Sequence, residues 1–195
     1  INLTMSRKTE SALASMKNLA GTAPGVGIVR ISGVISMEPA GFGAPPMHEA
    51  VIARLDAVLN DDRVKAVVLR VDSPGGTVAA TQEIFQKLME LRMKKPVVAS
   101  MGDLAASGGY YVASAANHIV ANTGTITGSI GVIIAAPNLK GLFEKLGIRM
   151  NVIKSGRYKD ILSSSRDLSD EEKALLQELI DSSYEQFLKD VSLGR

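Results

Sequence analysis

The 195-residue chain has no cysteine, which removes disulfides, thiol nucleophiles and thiolate metal sites and leaves the redox compartment open. It has two histidines, His48 and His118. His48 follows a proline-rich loop at a helix start, and His118 falls between an alanine-rich helix and a short strand. Both read as surface or packing residues, which disfavours a Ser-His-Asp triad and a histidine-rich metal site. No carboxylate cluster has metal-ligand spacing, so neither a metal nor a cofactor is expected. Charge of one sign is also lacking: 22 Lys+Arg face 20 Asp+Glu, and without a basic run nucleic acid is a poor partner. Residues 104–139 contain no Asp, Glu, Lys or Arg. Gly, Ser, Thr and Asn interrupt them every few positions, so they do not supply the about 20 mostly apolar residues of a spanning helix.

What is present is a chain that is 46% apolar, enough for one domain with a real core. Residues 1–24 are polar, with only loosely helical apolar spacing, and predict an arm or helix ahead of a folded domain at 25–195. The start at Ile1 carries no signal pattern, and the expectation is a processed chain whose membrane anchor has been removed. Runs rich in β-branched residues predict strands at 26–35, 64–71, 97–101, 119–121, 130–134 and 150–154. Between them, apolar spacing predicts helices at 47–59, 78–93, 105–116 and 138–146. A last helix is announced by the capping box Ser169 with Glu172. Strands alternating with helices predict an α/β fold, a mainly parallel sheet with βαβ crossovers covered by helices.

In such folds chemistry gathers at the turns after the strands. Asp72-Ser73-Pro74-Gly75-Gly76 is one such turn; its paired glycines allow a backbone that aims N–H groups at an anion, or simply turn strand into helix. Ala105-Ala106-Ser107-Gly108-Gly109-Tyr110 is the other. It sets a serine among small residues at a helix start, suited to a nucleophile and equally to an N-cap. With histidine unavailable, the base of a nucleophilic serine would be a lysine kept neutral by burial. Lys154-Ser155-Gly156-Arg157-Tyr158-Lys159-Asp160 offers two, and chemistry alone does not choose between them.

Four segments, V-D-S-P-G-G, G-D-L-A-A-S-G-G-Y-Y, T-G-T-I-T-G-S-I-G-V-I and I-K-S-G-R-Y-K-D-I, occur in an order and spacing that resemble the signal peptide peptidase A family. The resemblance runs from about residue 25 to the end, and it implies a Clp protease/crotonase-like fold. It makes Ser107 the nucleophile and Lys159, the second lysine of K-S-G-x-x-K, the general base, with Lys154 the lesser candidate. Ser129 of T-G-S-I-G would orient the amine, and N–H groups near Gly75 and Gly76, with that of Gly108, would form the oxyanion hole.

The implied activity is a serine endopeptidase that cuts remnant signal peptides at the membrane through an acyl-enzyme. An N-terminal anchor would hold the catalytic part outside the cytoplasm. Homo-oligomers are implied, and in short, single-repeat members the serine and lysine come from adjacent protomers. The chain departs from the family in lacking the anchor and in stopping at Ser192-Leu193-Gly194-Arg195, which reads as a trimmed catalytic core. The rival readings are a Ser-Lys protease of the phage head-maturation or stomatin-cleaving type, a crotonase-like acyl-CoA enzyme, and an inactive scaffold.

Overall fold

The computed structural model describes residues 24–39, 41 and 43–195; the arm expected over 1–24 lies, apart from Pro24, outside them. The elements run β1 (Gly25–Ser32), α1 (Met47–Leu59), β2 (Val64–Ser73), α2 (Val78–Arg92), β3 (Val97–Ala106), α3 (Gly108–Ser114), β4 (His118–Val120), β5 (Ile126–Gly128), α4 (Lys140–Lys145) and α5 (Asp170–Gly194). The sheet order is β1-β2-β3-β4, with β5 also on β3. Every ladder is parallel, as the strand-helix alternation predicts.

Period-two patterning puts Val29 and Ile31, Val67, Leu69 and Val71, and Val97, Ala99 and Met101 on one face. These pack with Leu55 of α1, Ile84, Leu88 and Leu91 of α2, and Val112 of α3 in a single buried cluster. Among the described residues the opposite face has no such cover; Ile28 is 58% exposed there. The expected helical cover is therefore one-sided.

Three sequence expectations change. β3 continues to Ala106, so Ala105 and Ala106 belong to the strand and not to the helix predicted to begin there. The pairing steps from Val71↔Met101 to Ser73↔Ala105, a bulge held by Leu104 N–H donating to Asp72 Oδ1 (3.1 Å) and Thr125 Oγ1 donating to the Gly102 carbonyl (2.8 Å). The irregularity bends the end of β3 towards β5. The strands predicted at 130–134 and 150–154 do not form. Gly128 and Ser129, at φ +83° and +53°, turn the chain off the sheet after β5, and β-branched residues without a neighbouring strand have no ladder to join.

From residue 129 to residue 168 the chain is mostly exposed, with the short α4 its only helix. It returns in α5, whose capping box forms as predicted: Glu172 N–H donates to Ser169 Oγ (3.2 Å) and Ser169 N–H to Glu172 Oε2 (2.9 Å). The far end of α5 docks on the core through buried Phe187 and Gly194. There Arg92 Nη1 donates to the carbonyls of Gly194 and Ala115, each at 3.1 Å, joining the ends of α5 and α3.

Candidate active site

The two turns singled out in the sequence interlock. Ser107, half-exposed between buried neighbours, links the last residue of β3 to the first of α3 at φ +50°, ψ −120°. A residue with a Cβ adopts that conformation only at a cost of about 1–3 kcal/mol, which the surrounding structure must hold in place. Its side chain makes no cap hydrogen bond, so the N-cap interpretation is set aside and the hydroxyl is left for other work. The backbone is fixed instead: Ser107 N–H donates to the Gly128 carbonyl (2.8 Å), and Tyr111 N–H donates to the Ser107 carbonyl (2.9 Å). A strained serine at a strand-to-helix turn, lining a pocket, is the arrangement of a nucleophile elbow.

Glycine is required where the turns meet. A Cβ on Gly75, at φ +97°, would lie 2.5 Å from the Gly108 nitrogen; one on Gly76 would lie 1.8 Å from the Ile35 oxygen; one on Gly109, 2.5 Å from the Ser73 oxygen. Buried Ser73 locks the first turn, donating from Oγ to the Gly33 carbonyl (2.6 Å) and accepting from Gly75 N–H (3.1 Å). That bond takes up the Gly75 N–H. Gly76 N–H donates to no acceptor among the described residues, and Gly108 N–H, at the first position of α3, has no acceptor within its helix. Of the three glycines named from sequence, Gly76 and Gly108 keep free donors among the described residues, and Gly75 supplies close approach.

A pocket of about 110 Å³ opens beside these donors, lined by Gly76, Val78, Ser107, Tyr111, Ile133 and Phe187 among others. Tyr111 packs edge-on to Phe85 and tilted against Phe187, at centroid distances of 5.2 and 4.5 Å. Its hydroxyl donates to Asp190 of α5. Burial, reinforced by that carboxylate, pushes the phenol well above its ordinary pKa. Beyond Gly76, Ser107 and Gly108, no pocket wall was named from sequence, because these side chains come together from α2, α3, α5 and the segment after β5. The placing of Phe187 in the helix that follows the Ser169 capping box was the available signal.

The basic candidates separate. Lys154 donates to the Arg157 carbonyl (3.0 Å) and pairs with Asp160. Lys159 is exposed, forms no ion pair among the described residues, and does not line the Ser107 pocket. Asp160, beside it, is bound by Arg166, which also binds Glu172 at the start of α5. Between Glu172 and the pocket residue Ser183 run about 16 Å of helix. Ser129 follows Gly128, the acceptor for Ser107 N–H, so it sits beside the nucleophile turn. The structure thus brings Ser107, Gly75, Gly76, Gly108 and Ser129 together, and Lys159 is not among the residues that line their pocket.

His48 is buried, with Nδ1 3.3 Å from the Ser36 carbonyl and Nε2 3.6 Å from Glu83; His118 is exposed on β4. Among the described residues no acidic or histidine grouping suits a metal, and no helix is long and apolar enough to cross a membrane.

Residues 44–126 match the Clp protease family and residues 89–195 match Peptidase family S49. A Synechocystis protein provisionally named as a protease is 50% identical over 83% of this chain and 58% of its own length. An Enterococcus faecium protein provisionally named as the signal peptide peptidase SppA is 38% identical over 76% of this chain and 43% of its own length. The capsid assembly protease C of phage lambda is 30% identical over 86% of this chain and 39% of its own length. The chain spans roughly half the length of these relatives. With the S49 match covering more than half of the residues, including both the Ser107 turn and the Lys159 loop, the chain belongs to Peptidase family S49.

Proposed function

We propose that this chain is the catalytic part of a serine endopeptidase that hydrolyses remnant signal peptides and other hydrophobic peptides at the membrane, with Ser107 as nucleophile and Lys159 as base. The observation that carries the reading is the strained, uncapped Ser107 beside the free N–H groups of Gly76 and Gly108. Ser107 Oγ attacks the peptide carbonyl as the neutral Lys159 amine takes its proton. The oxyanion gathers charge between the two N–H donors, the kind of preorganised stabilisation that is lost 10²–10³-fold when one donor is removed. Collapse of the tetrahedral adduct passes the proton to the leaving amine. Water, deprotonated by the same lysine, then hydrolyses the acyl-enzyme. Ser129, beside the nucleophile turn, accepts or donates to the lysine amine and orients it.

Lys159 reaches Ser107 from a neighbouring copy. What supports this is the absence of the lysine from the lining of its own chain's pocket, together with the exposed apolar residues that precede it in sequence, Met150, Val152 and Ile153. Burial of that surface between copies supplies the desolvation that a neutral lysine requires. The pocket, walled by Val78, Val132, Ile133 and Phe187, favours small aliphatic side chains, in keeping with the hydrophobic cores of signal peptides. Membrane attachment would come from the rest of the protein.

An unbiased peptide-library digest, wild type against Ser107→Ala, tests the reading. Cleavage after small or aliphatic residues, absent from the variant, is expected. Cleavage that persists in Ser107→Ala sinks the nucleophile, and a preference for polar sequences moves the substrate towards the phage-type alternative.

A further inference from the structure

The loop carrying Lys159 has little apolar packing to hold it, yet its backbone is closely constrained. Gly156 at φ +89° and Leu162 at φ +65° bracket it, and turns close from Ile161 N–H to the Tyr158 carbonyl (3.1 Å) and from Ser163 N–H to the Asp160 carbonyl (3.0 Å). Two guanidinium groups join this loop to α5: Arg157 forms an exposed pair with Glu171, and Arg166 makes the partly buried, many-pronged link. Arg166 Nε donates to Asp160 Oδ2 (3.0 Å) and Nη2 to Asp160 Oδ1 (2.9 Å), a two-pronged grip; Nη2 also reaches the Asp160 carbonyl (3.2 Å). On its other side Nη1 donates to Glu172 Oε2 (2.8 Å), and Glu172 is buried in the capping box of α5. Lys154 closes the arrangement on Asp160. Planar Arg–carboxylate pairs of this kind fix direction as well as distance, which a lysine cannot do.

We propose that Arg166 is the positioning residue of the base: it clamps Asp160, the neighbour of Lys159, to the first turn of α5, so that α5 sets where the amine stands. The inference rests on the reading of Lys159 as base. It divides the two lysines of K-S-G-R-Y-K by role, Lys154 belonging to the clamp and Lys159 being the group the clamp presents. The physical need is plain. A loop without a packed core behind it samples many backbone states, and a displacement of about 1 Å at a reacting group costs on the order of 10²-fold in rate. The clamp lies away from the apolar cluster that holds the sheet, so its loss leaves the nucleophile side folded.

The test is steady-state kinetics of the full-length protein on a fluorogenic hydrophobic peptide, for Arg166→Ala, Arg166→Lys, Asp160→Asn and Lys159→Ala, with assembly checked by size-exclusion chromatography. Arg166→Ala is expected to lower kcat roughly 10- to 100-fold with KM within about twofold, and Arg166→Lys to recover only part. Millimolar guanidinium is expected to restore part of the kcat of Arg166→Ala and none of that of Lys159→Ala, a rescue that a merely unstable variant does not show. Adding Asp160→Asn to Arg166→Ala is expected to cost little more than either alone, since both break one link. Wild-type kcat in Arg166→Ala while Lys159→Ala is inactive overturns the clamp and leaves the base standing. Activity in Lys159→Ala overturns the base itself. If Arg166→Ala alters the assembly, the near-isosteric Asp160→Asn decides: an equal kcat loss with assembly intact supports the clamp, and unchanged kcat rejects it.

Discussion

In the part of the chain that carries the sheet, Leu69, Ile84 and Met101 are shut away from water, whereas between residues 129 and 168 Ile133 is 86% exposed and Ile153 fully so. The first region holds its shape by close packing. The second holds it by turns and ion pairs: Lys140 with Asp167, Lys154 and Arg166 with Asp160. An exposed pair such as Lys140–Asp167 contributes about 0–1 kcal/mol, and the partly buried pairs on Asp160 fix direction; together they set local shape without supplying a core. On the proposed function the contrast divides the chemistry, with the nucleophile and oxyanion donors completed by this chain and the base carried on a region that exposes much of its apolar surface.

The most severe way to probe that division is to inactivate each region separately. Ser107→Ala and Lys159→Ala are each expected to reduce peptide turnover by more than about 10³-fold. Mixing the two inactive proteins is expected to restore a fraction of wild-type activity, because some junctions then combine an intact serine with an intact lysine. Absence of recovery under conditions that exchange subunits would place both residues in one chain and dissolve the contrast.

Glycines sharpen it next. Gly76→Ala pushes a methyl into the Ile35 carbonyl, so a loss of about 10²-fold in acylation rate by an activity-based probe and a lower Tm are expected. Gly141→Ala in α4 meets nothing within 4 Å and is expected to leave Tm unchanged or slightly higher, since alanine favours a helix. Equal Tm losses at both sites would contradict the difference in packing.

Truncation of apolar side chains extends the comparison to stability. Leu88→Ala is expected to cost about 2–5 kcal/mol in chemical denaturation. Ile153→Ser is expected to stay within about 0.5 kcal/mol for the isolated chain and to weaken self-association in sedimentation instead.

The smallest effect is electrostatic. The Arg166 guanidinium, helped by the Ser169 N–H, holds the Glu172 carboxyl down from 4.5 to about 2. A depressed carboxylate stabilises the fold above its ordinary pKa, and the contribution is lost as pH falls through the folded value. The tie between the Lys159 loop and α5 should therefore persist at pH 4 and loosen only as pH approaches 2. A Glu172 side-chain titration by NMR with its midpoint near 4.5 would refute the coupling.

Much of this was legible in the sequence where the signal is local. α1 spans the predicted residues, the capping box forms at Ser169, and β2 ends at the Ser73-Pro74-Gly75-Gly76 turn, because periodicity, caps and glycine-proline turns act within a few residues. The strands expected at 130–134 and 150–154 failed for the opposite reason: β-branched runs record a preference that only a neighbouring strand can satisfy. The Ser107 backbone strain left no mark in composition, since it is imposed by Gly128 from β5 and Gly75 from after β2. That Gly76 and not Gly75 keeps a free N–H depends on the Ser73 hydroxyl, which a motif does not reveal. The pocket walls Tyr111 and Phe187 are joined only by tertiary packing.

The interlocked turns also bear on when this chain becomes reactive. The residues from Ser73 to Gly76 are synthesised well before those from Ala106 to Gly109, and the Gly128 carbonyl that steadies Ser107 comes later still. The strained serine and its paired donors therefore arise together, after β2, β3 and β5 have met, and a nascent or misfolded chain carries an ordinary, unreactive serine. On the proposed reading of Ser107 as nucleophile, latency before folding is thus written into the backbone. The rate at which an activity-based probe labels Ser107 becomes, in turn, a direct gauge of the correctly folded fraction.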